Sequence, residues 1–289
     1  MDRSILRNEL TCLEKSAYEI YGGGCVKLPK TLRVYLISGK MDIAAWMEYR
    51  VNFLLYLIAG AVMRLLTPIV VYLIYYNGLT FPGWDFYQVF FLVGTFTFVR
   101  GFSSFITSSV AWWSNEMIHN GTFDKLLIRP MSPMKQLIIR ETELDESSGL
   151  ILGIILVIFS LYKMDVPIDA YNFALYVWFM ILGIVFISSF DILSGALNFI
   201  FVKTDSIKDL FWESSMFGKY PLTIYGVIGH AIFTFAIPFG LLAFYPAEAF
   251  FGRMESTLFV QLNLITLAFL SVSLVMWKYA MTRYTSVGG

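Results

Sequence analysis

EMIHNGTFDKLLIRPMSP, residues 116–133, is the one polar break long enough to matter in a chain that is otherwise mostly lipid-soluble. It runs from Glu116 to Pro133, follows one long apolar stretch and precedes another, and carries acids, bases, Gly121 and two prolines. A polar segment held between two such stretches reads as a cytoplasmic docking loop between two membrane spans. Its surroundings support that reading. Of 289 residues, 57% are hydrophobic and 15% charged, whereas a soluble domain carries about 25% charged residues. Mean hydropathy is +0.67. Aromatic residues make up 18%, which suits helices that face lipid and carry ring belts at their ends. The expectation is an all-α, polytopic membrane protein.

A span needs about 20 mostly apolar residues. Working outward from the loop, six candidates meet or approach that length: about 51–76, 86–109, 148–164, 171–201, 222–245 and 258–277. Residues 1–30 form a polar tail broken by three glycines, with no apolar run before a cleavage site and so no secretory signal. Over 31–50, Leu32, Tyr35, Leu36, Ile43, Trp46 and Met47 recur at helical spacing, with Arg33, Lys40, Glu48 and Arg50 between them. That pattern predicts an amphipathic helix lying along the membrane surface. With the N-terminus inside, the tail, the loop over 110–147, the 202–219 segment and the C-terminus hold 17 of the 21 Lys and Arg. Excess basic charge marks the cytoplasmic side, so both termini are expected there.

Several functions are excluded or left without support. A net charge of zero provides no basic footprint for nucleic acid. Cys12 and Cys25 lack zinc-site spacing, neither His119 nor His230 has a nearby Cys or second His, and no metal site is expected. The acids Glu141, Glu143, Asp145 and Glu146 read as a solvated helix end beside Arg140. There is no nucleophile elbow and no phosphate-binding loop, so no catalytic residues are assigned and any ATPase must be another chain.

Four ionisable residues fall within the expected spans: Arg64, Arg100, Asp191 and His230. Each costs about 2.5–3.5 kcal/mol to place there. Counted along their spans, Arg100, Asp191 and His230 lie at one depth, roughly 13–15 Å from the cytoplasmic end. The expectation is an Arg100–Asp191 ion pair, with a pathway site as its functional alternative. A secondary transporter that uses all four as an ion relay is the competing class, against which no matching pair of broken segments is found. Ser188, Ser189, Ser194, Gly195 and Asn198 read as small residues for close helix packing. Pro238, Gly240, Tyr245, Pro246 and Glu248 mark a broken or re-entrant segment at the outer face, a candidate gate.

The central loop resembles one family specifically. Ile118-His-Asn-Gly121-Thr-Phe123-Asp124-Lys-Leu-Leu-Ile-Arg129-Pro130 is similar to the Ile-x-x-Gly-x-Leu-Asp…Leu-Leu-x-x-Pro loop of ABC-2 type transporter permeases, small six-span subunits encoded apart from their ATPase. Phe123 replaces the usual Leu. Four more segments agree in order: Gly83-Trp84, Lys219-Tyr220-Pro221…Tyr225, Pro238…Tyr245-Pro246, and Arg283-Tyr284-Thr285-Ser286-Val287-Gly288, where Thr282 replaces an Arg. Similarity covers about 31–289.

The resemblance implies an exporter in the cytoplasmic (inner) membrane of a prokaryote, embedded in lipid. It implies a cytoplasmic ABC ATPase dimer as partner, holding the ATP and Mg, and a second permease subunit, identical or related; this chain itself would bind no cofactor. The loop would be the coupling helix. Glu116, Asp124, Lys125 and Arg129 would pair with the ATPase, Ile118, Phe123, Leu126 and Leu127 would anchor it, Gly121 would allow close approach, and Pro130 would end the helix.

Overall fold

The computed structural model describes Gly39, Glu48 and residues 50–140, 147–201 and 205–285. The chain divides into two units: Met1–Ile37, which lies outside the described residues, and Ser38–Gly289, which holds the helical bundle. The expected polar tail therefore falls outside the description. So do the expected surface helix over 31–50, apart from Gly39, Glu48 and Arg50, the acids at 141–146, and the last residues of the C-terminal motif.

In chain order the helices are α1 (Arg50–Tyr76), α2 (Phe86–His119), α3 (Asp124–Leu127), α4 (Pro133–Arg140) and α5 (Ser147–Met164), then α6 (Ala170–Leu197), α7 (Asp205–Ser215), α8 (Gly226–Ala231), α9 (Phe244–Phe250) and α10 (Ser256–Arg283). Five of them, α1, α2, α5, α6 and α10, are long and apolar enough to cross a membrane. The turns at Asn77–Asp85 and 251–255 lie at one end, where Arg253 reaches the Gly83 carbonyl (3.5 Å) and Gln88 Oε1 (3.4 Å). We call this the hairpin end. At the opposite, loop end, Phe123 meets Phe199 and Tyr284.

α2 is the axis of the bundle and the most buried of the five long helices. Its 34 residues make about 51 Å of helix, well beyond an apolar layer of about 30 Å. It therefore continues ten residues past the expected span end and takes in the first part of the polar break. At its start the Gln88 side chain returns to the Asp85 amide (3.3 Å). Along its length the hydroxyls of Thr95, Thr97 and Ser108 satisfy themselves on carbonyls one turn back, which lets a polar-looking segment stay buried.

α5 and α6 pack on α2, α10 packs on α6, and α1 packs on both α2 and α5. The α2–α5 crossing is very close because glycines line it. A Cβ at Gly153 would lie 2.6 Å from the Phe98 amide nitrogen, and one at Gly94 would lie 2.9 Å from the Val157 nitrogen. Gly149 and Gly153 form a small-xxx-small pair on α5. On the other side, Gly195 of α6 fits against Val110 and Trp277, and Asn198 donates to the Ala111 carbonyl and Ser114 Oγ, both at 2.9 Å.

The expected fifth span over 222–245 is not a single helix. It consists of a 3-10 turn at Leu222–Tyr225, α8, a π turn at Ile232–Ala236, a second 3-10 turn at Phe239–Leu242, and the start of α9. It does not cross from end to end. Tyr220 stacks on Phe81 and Thr223 bonds the Pro82 carbonyl, so the segment starts at the hairpin end. Phe239 dips to Phe186 and Phe211, and Phe244 returns to Trp84. The stretch that runs from the loop end to the hairpin end is α7 with Met216–Lys219, which the sequence presents as a polar connection.

Gly153→Leu should push α2 and α5 apart. Overpacking of this kind costs about 1–3 kcal/mol or more, and the protein in detergent should melt lower or lose its monodisperse peak.

Candidate functional site

The polar loop begins as the last turn of α2, with Glu116 exposed and Ile118 half-buried. The helix stops at Asn120–Gly121 in a Schellman arrangement: the Gly121 amide bonds the Ile118 carbonyl (3.1 Å) and the Thr122 amide the Met117 carbonyl (2.9 Å). Gly121 has φ +62° and nothing within 4 Å of an added Cβ. Its left-handed backbone is what ends the helix. The chain then turns into α3, and Gln136 of α4 donates to the Leu126 and Met131 carbonyls, both at 2.7 Å, which fixes the return.

Two expected docking residues face inward instead. Phe123 is fully buried, in edge contact with Phe199 (4.8 Å) and Tyr284 (5.2 Å), and Leu126 joins the same cluster with Trp277 and Leu137. They anchor the loop to its own chain and are not surface for a partner. Phe199, Trp277 and Tyr284, which pack behind the loop, are not among the residues singled out from the sequence for this role; Tyr284 is part of the matched C-terminal motif. The face left exposed carries Lys125, Leu127, Ile128 and Arg129, with Pro130 following, while Asp124 is half-buried. Ile128, which was not expected there, is 85% exposed. Burial, and next the Asp124 carboxylate, push the Tyr284 phenol above its ordinary range.

The ionisable residues of the helices do not converge. Arg100 donates to Ser215 Oγ (3.1 Å) and Met216 Sδ (3.1 Å), and its guanidinium lies over the Trp212 ring at 4.3 Å. Asp191 is buried and accepts from Thr107 Oγ1 at 2.7 Å. Thr107 lies seven residues beyond Arg100 on α2, roughly 10 Å along the axis. The Thr107–Asp191 bond and the Arg100 contacts with Ser215, Met216 and Trp212 thus lie at different levels of α2. His230 sits on α8 beside Thr234 and the Phe244 ring. Arg64 bonds Ser148 Oγ (2.5 Å) across Gly60 and Gly149. Arg64 and Arg100 do share one feature: both border a cavity of about 800 Å3 between α1, α2 and α7. Asp191 and His230 are not among its lining residues.

The expected gate residues form a packed plug at the hairpin end. Pro238, Gly240, Tyr245 and Pro246 are buried. A Cβ at Gly240 would strike Tyr245 at 2.7 Å and Leu222 at 2.8 Å, and the Tyr245 hydroxyl lies 2.6 Å from Thr234 Oγ1. Glu248 pairs with Arg253 (3.5 Å), which covers the Trp84 ring.

A family model described as ABC-2 family transporter protein matches residues 61–288, from within α1 to beyond α10. No curated protein and no solved structure matches the chain.

Phe123→Ala should cost about 3–5 kcal/mol of packing, seen as faster tryptic cleavage after Lys125 with the bundle still folded. Tyr284 supplies a pH test. A phenol pushed up in the folded state contributes stability that is complete below its unfolded pKa and is lost as pH rises through the folded value. Cleavage after Lys125 should therefore quicken at strongly alkaline pH, and Tyr284→Phe should remove that component.

Proposed function

The chain belongs to the ABC-2 family transporter proteins, and from that premise we propose that it is the permease subunit of an exporter driven by a separate ATPase pair docked at its loop end. It is a multi-pass membrane protein. In this reading the five long helices and α7 with Met216–Lys219 make six crossings, and the loop end is cytoplasmic. The distribution of charge supports that orientation: Lys125, Arg129, Lys135, Lys278 and Arg283 lie toward the loop end, against Lys163 and Arg253 toward the other.

The observation that carries the proposal is the two-sided loop. One side is locked by Phe123 and Leu126, and the other presents Leu127 and Ile128 among Lys125 and Arg129. An apolar tip ringed by charge, on backbone that is already ordered, has the composition of an interface centre. ATP and Mg would be held by the partner. Two permeases would meet across a pathway, and α1, whose apolar face is largely exposed in a single copy, is the helix with surface to offer. Closure of the ATPases would move the loop, and with it the ends of α2, α6 and α10, in a rigid-body alternation. The plug around Gly240 and Tyr245 would be the outer gate. The ion-relay alternative has no support in the geometry, because its four residues have separate partners.

The test is co-purification with a separately encoded ABC ATPase produced together with this chain. Leu127→Asp with Ile128→Asp should reduce recovered complex and ATPase activity by about tenfold or more, as loss of an interface centre does. The permease's own melting temperature should stay the same, since both side chains are exposed. A complex that survives this double substitution would overturn the docking assignment.

A further inference from the structure

α9 ends in a Schellman arrangement: the Gly252 amide bonds the Ala249 carbonyl (3.2 Å) and the Arg253 amide the Glu248 carbonyl (2.8 Å). Gly252, at φ +69°, supplies the left-handed residue that this ending needs. The turn brings Arg253 back over the hairpin end, where its guanidinium meets three other parts of the chain. It pairs with Glu248 of α9 (3.5 Å) and donates to the Gly83 carbonyl (3.5 Å) and, at the head of α2, to Gln88 Oε1 (3.4 Å). The guanidinium carbon lies 5.4 Å from the centres of both the Trp84 and the Phe251 rings. Trp84 in turn is buried against Phe244 of the plug, and its carbonyl accepts from the Tyr75 hydroxyl of α1 (2.7 Å). One side chain thus joins the plug to the hairpin, and through the hairpin to α1 and α2.

The two members of the ion pair are not equally placed. Arg253 is exposed and Glu248 is half-buried. Burial pushes the Glu248 carboxyl above its ordinary range, and Arg253 pulls it back by its charge and its hydrogen bond. Burial is the larger influence, so an ionised Glu248 is costly here, and more costly without the guanidinium. The charged residues at the heads of α2 and α6, the long helices packed on α9, are Asp85 and Asp169. Both are acidic and cannot stand in for Arg253.

We propose that Arg253 is the latch of the plug: its positive charge compensates Glu248 and ties α9 to the hairpin, and the plug loosens when the guanidinium leaves. Its part in opening an outer gate rests on the permease reading; its hold on the plug does not. The latch is at the rim, apart from the packed interior. Inside, the Tyr245 hydroxyl meets Thr234, and Gly240 lets the Tyr245 ring close against it. An ion pair at a wet rim parts at small cost and re-forms without breaching that packing.

The measurement is hydrogen exchange on the purified permease in detergent, without ATPase. Exchange over 238–250 reads the plug, and exchange over 94–101 and 149–153 reads the α2–α5 crossing. Arg253→Gln should quicken exchange over 238–250 by about tenfold, the scale of one charge-assisted contact, and leave the crossing as it was. Glu248→Gln keeps the shape and removes the charge, and should stay within about twofold of the unsubstituted chain. The double substitution should fall back toward that chain, because no ionised carboxylate is then left without a base. Unchanged exchange in Arg253→Gln would overturn the proposal. So would a crossing that loosens with the plug, or a double substitution as loose as Arg253→Gln alone, which would make the guanidinium a cover for Trp84 and not a compensating charge. With the ATPase and a non-hydrolysable ATP analogue added, exchange over 238–250 in the unsubstituted chain should rise if the plug is the outer gate. No rise there ends the gate reading and leaves the latch, whereas failure of the double substitution to restore the plug ends the latch and leaves the gate.

Discussion

The closeness of α2 to α5 is the constraint on which the bundle depends. In lipid an apolar side chain gains nothing by leaving its surroundings, so helices associate through van der Waals contact and the few polar bonds they share. Gly94 and Gly101 on α2, with Gly149 and Gly153 on α5, remove the side chains that would hold the backbones apart. Thr107 to Asp191 and Asn198 to Ser114 supply the polar bonds on the α6 side. With α2 closed against these two neighbours, its remaining face turns toward α1 and α7, and that is where the cavity lies.

A second constraint explains the hairpin end. Backbone that is neither helix nor barrel survives at membrane depth only under protein cover. The segment from Leu222 to Ala243 includes two 3-10 turns, a π turn and Pro238. It is tolerated because α6 and the turn before it make room. Cβ atoms at Gly183 and Gly218 would lie 2.5 Å and 2.6 Å from the Leu241 and Phe239 carbonyl oxygens. Thr234 bonds both the His230 carbonyl and the Tyr245 hydroxyl across the same region.

Hydropathy made the five long helices legible, and the alternation of Gly121, Asp124 and Pro130 with apolar residues marked the loop. Residues 222–245 read as one span because they are apolar throughout, yet they break into short turns: residues 238–245 are buried by protein, while Val227 and Ile228 are exposed. α7 looks like a connection because Lys208, Asp209 and Glu213 sit on it. The lysine borders the cavity and the two acids face outward. Depth counting also failed for Arg100 and Asp191. It measures height from an assumed helix end, and α2 runs ten residues past that end; it also ignores which way a side chain points. Phe123 was misassigned because an aromatic residue in a polar loop looks like an anchor for a partner. Only the fold brings Phe199, Trp277 and Tyr284 around it.

That cluster decides how the loop can act. Phe123 is tied to the end of α6 by Phe199 and to the end of α10 by Tyr284 and Trp277, and Gly121 fixes it to the end of α2. Three long helices therefore share one buried aromatic contact directly behind the exposed Leu127 and Ile128. The exposed tip therefore stands on close-packed residues, and packed groups shift between arrangements more readily than they stretch. α7 stacks Phe211 on Phe190 of α6, which joins the helix that carries Lys208 to the helix that leads into the Phe199 contact.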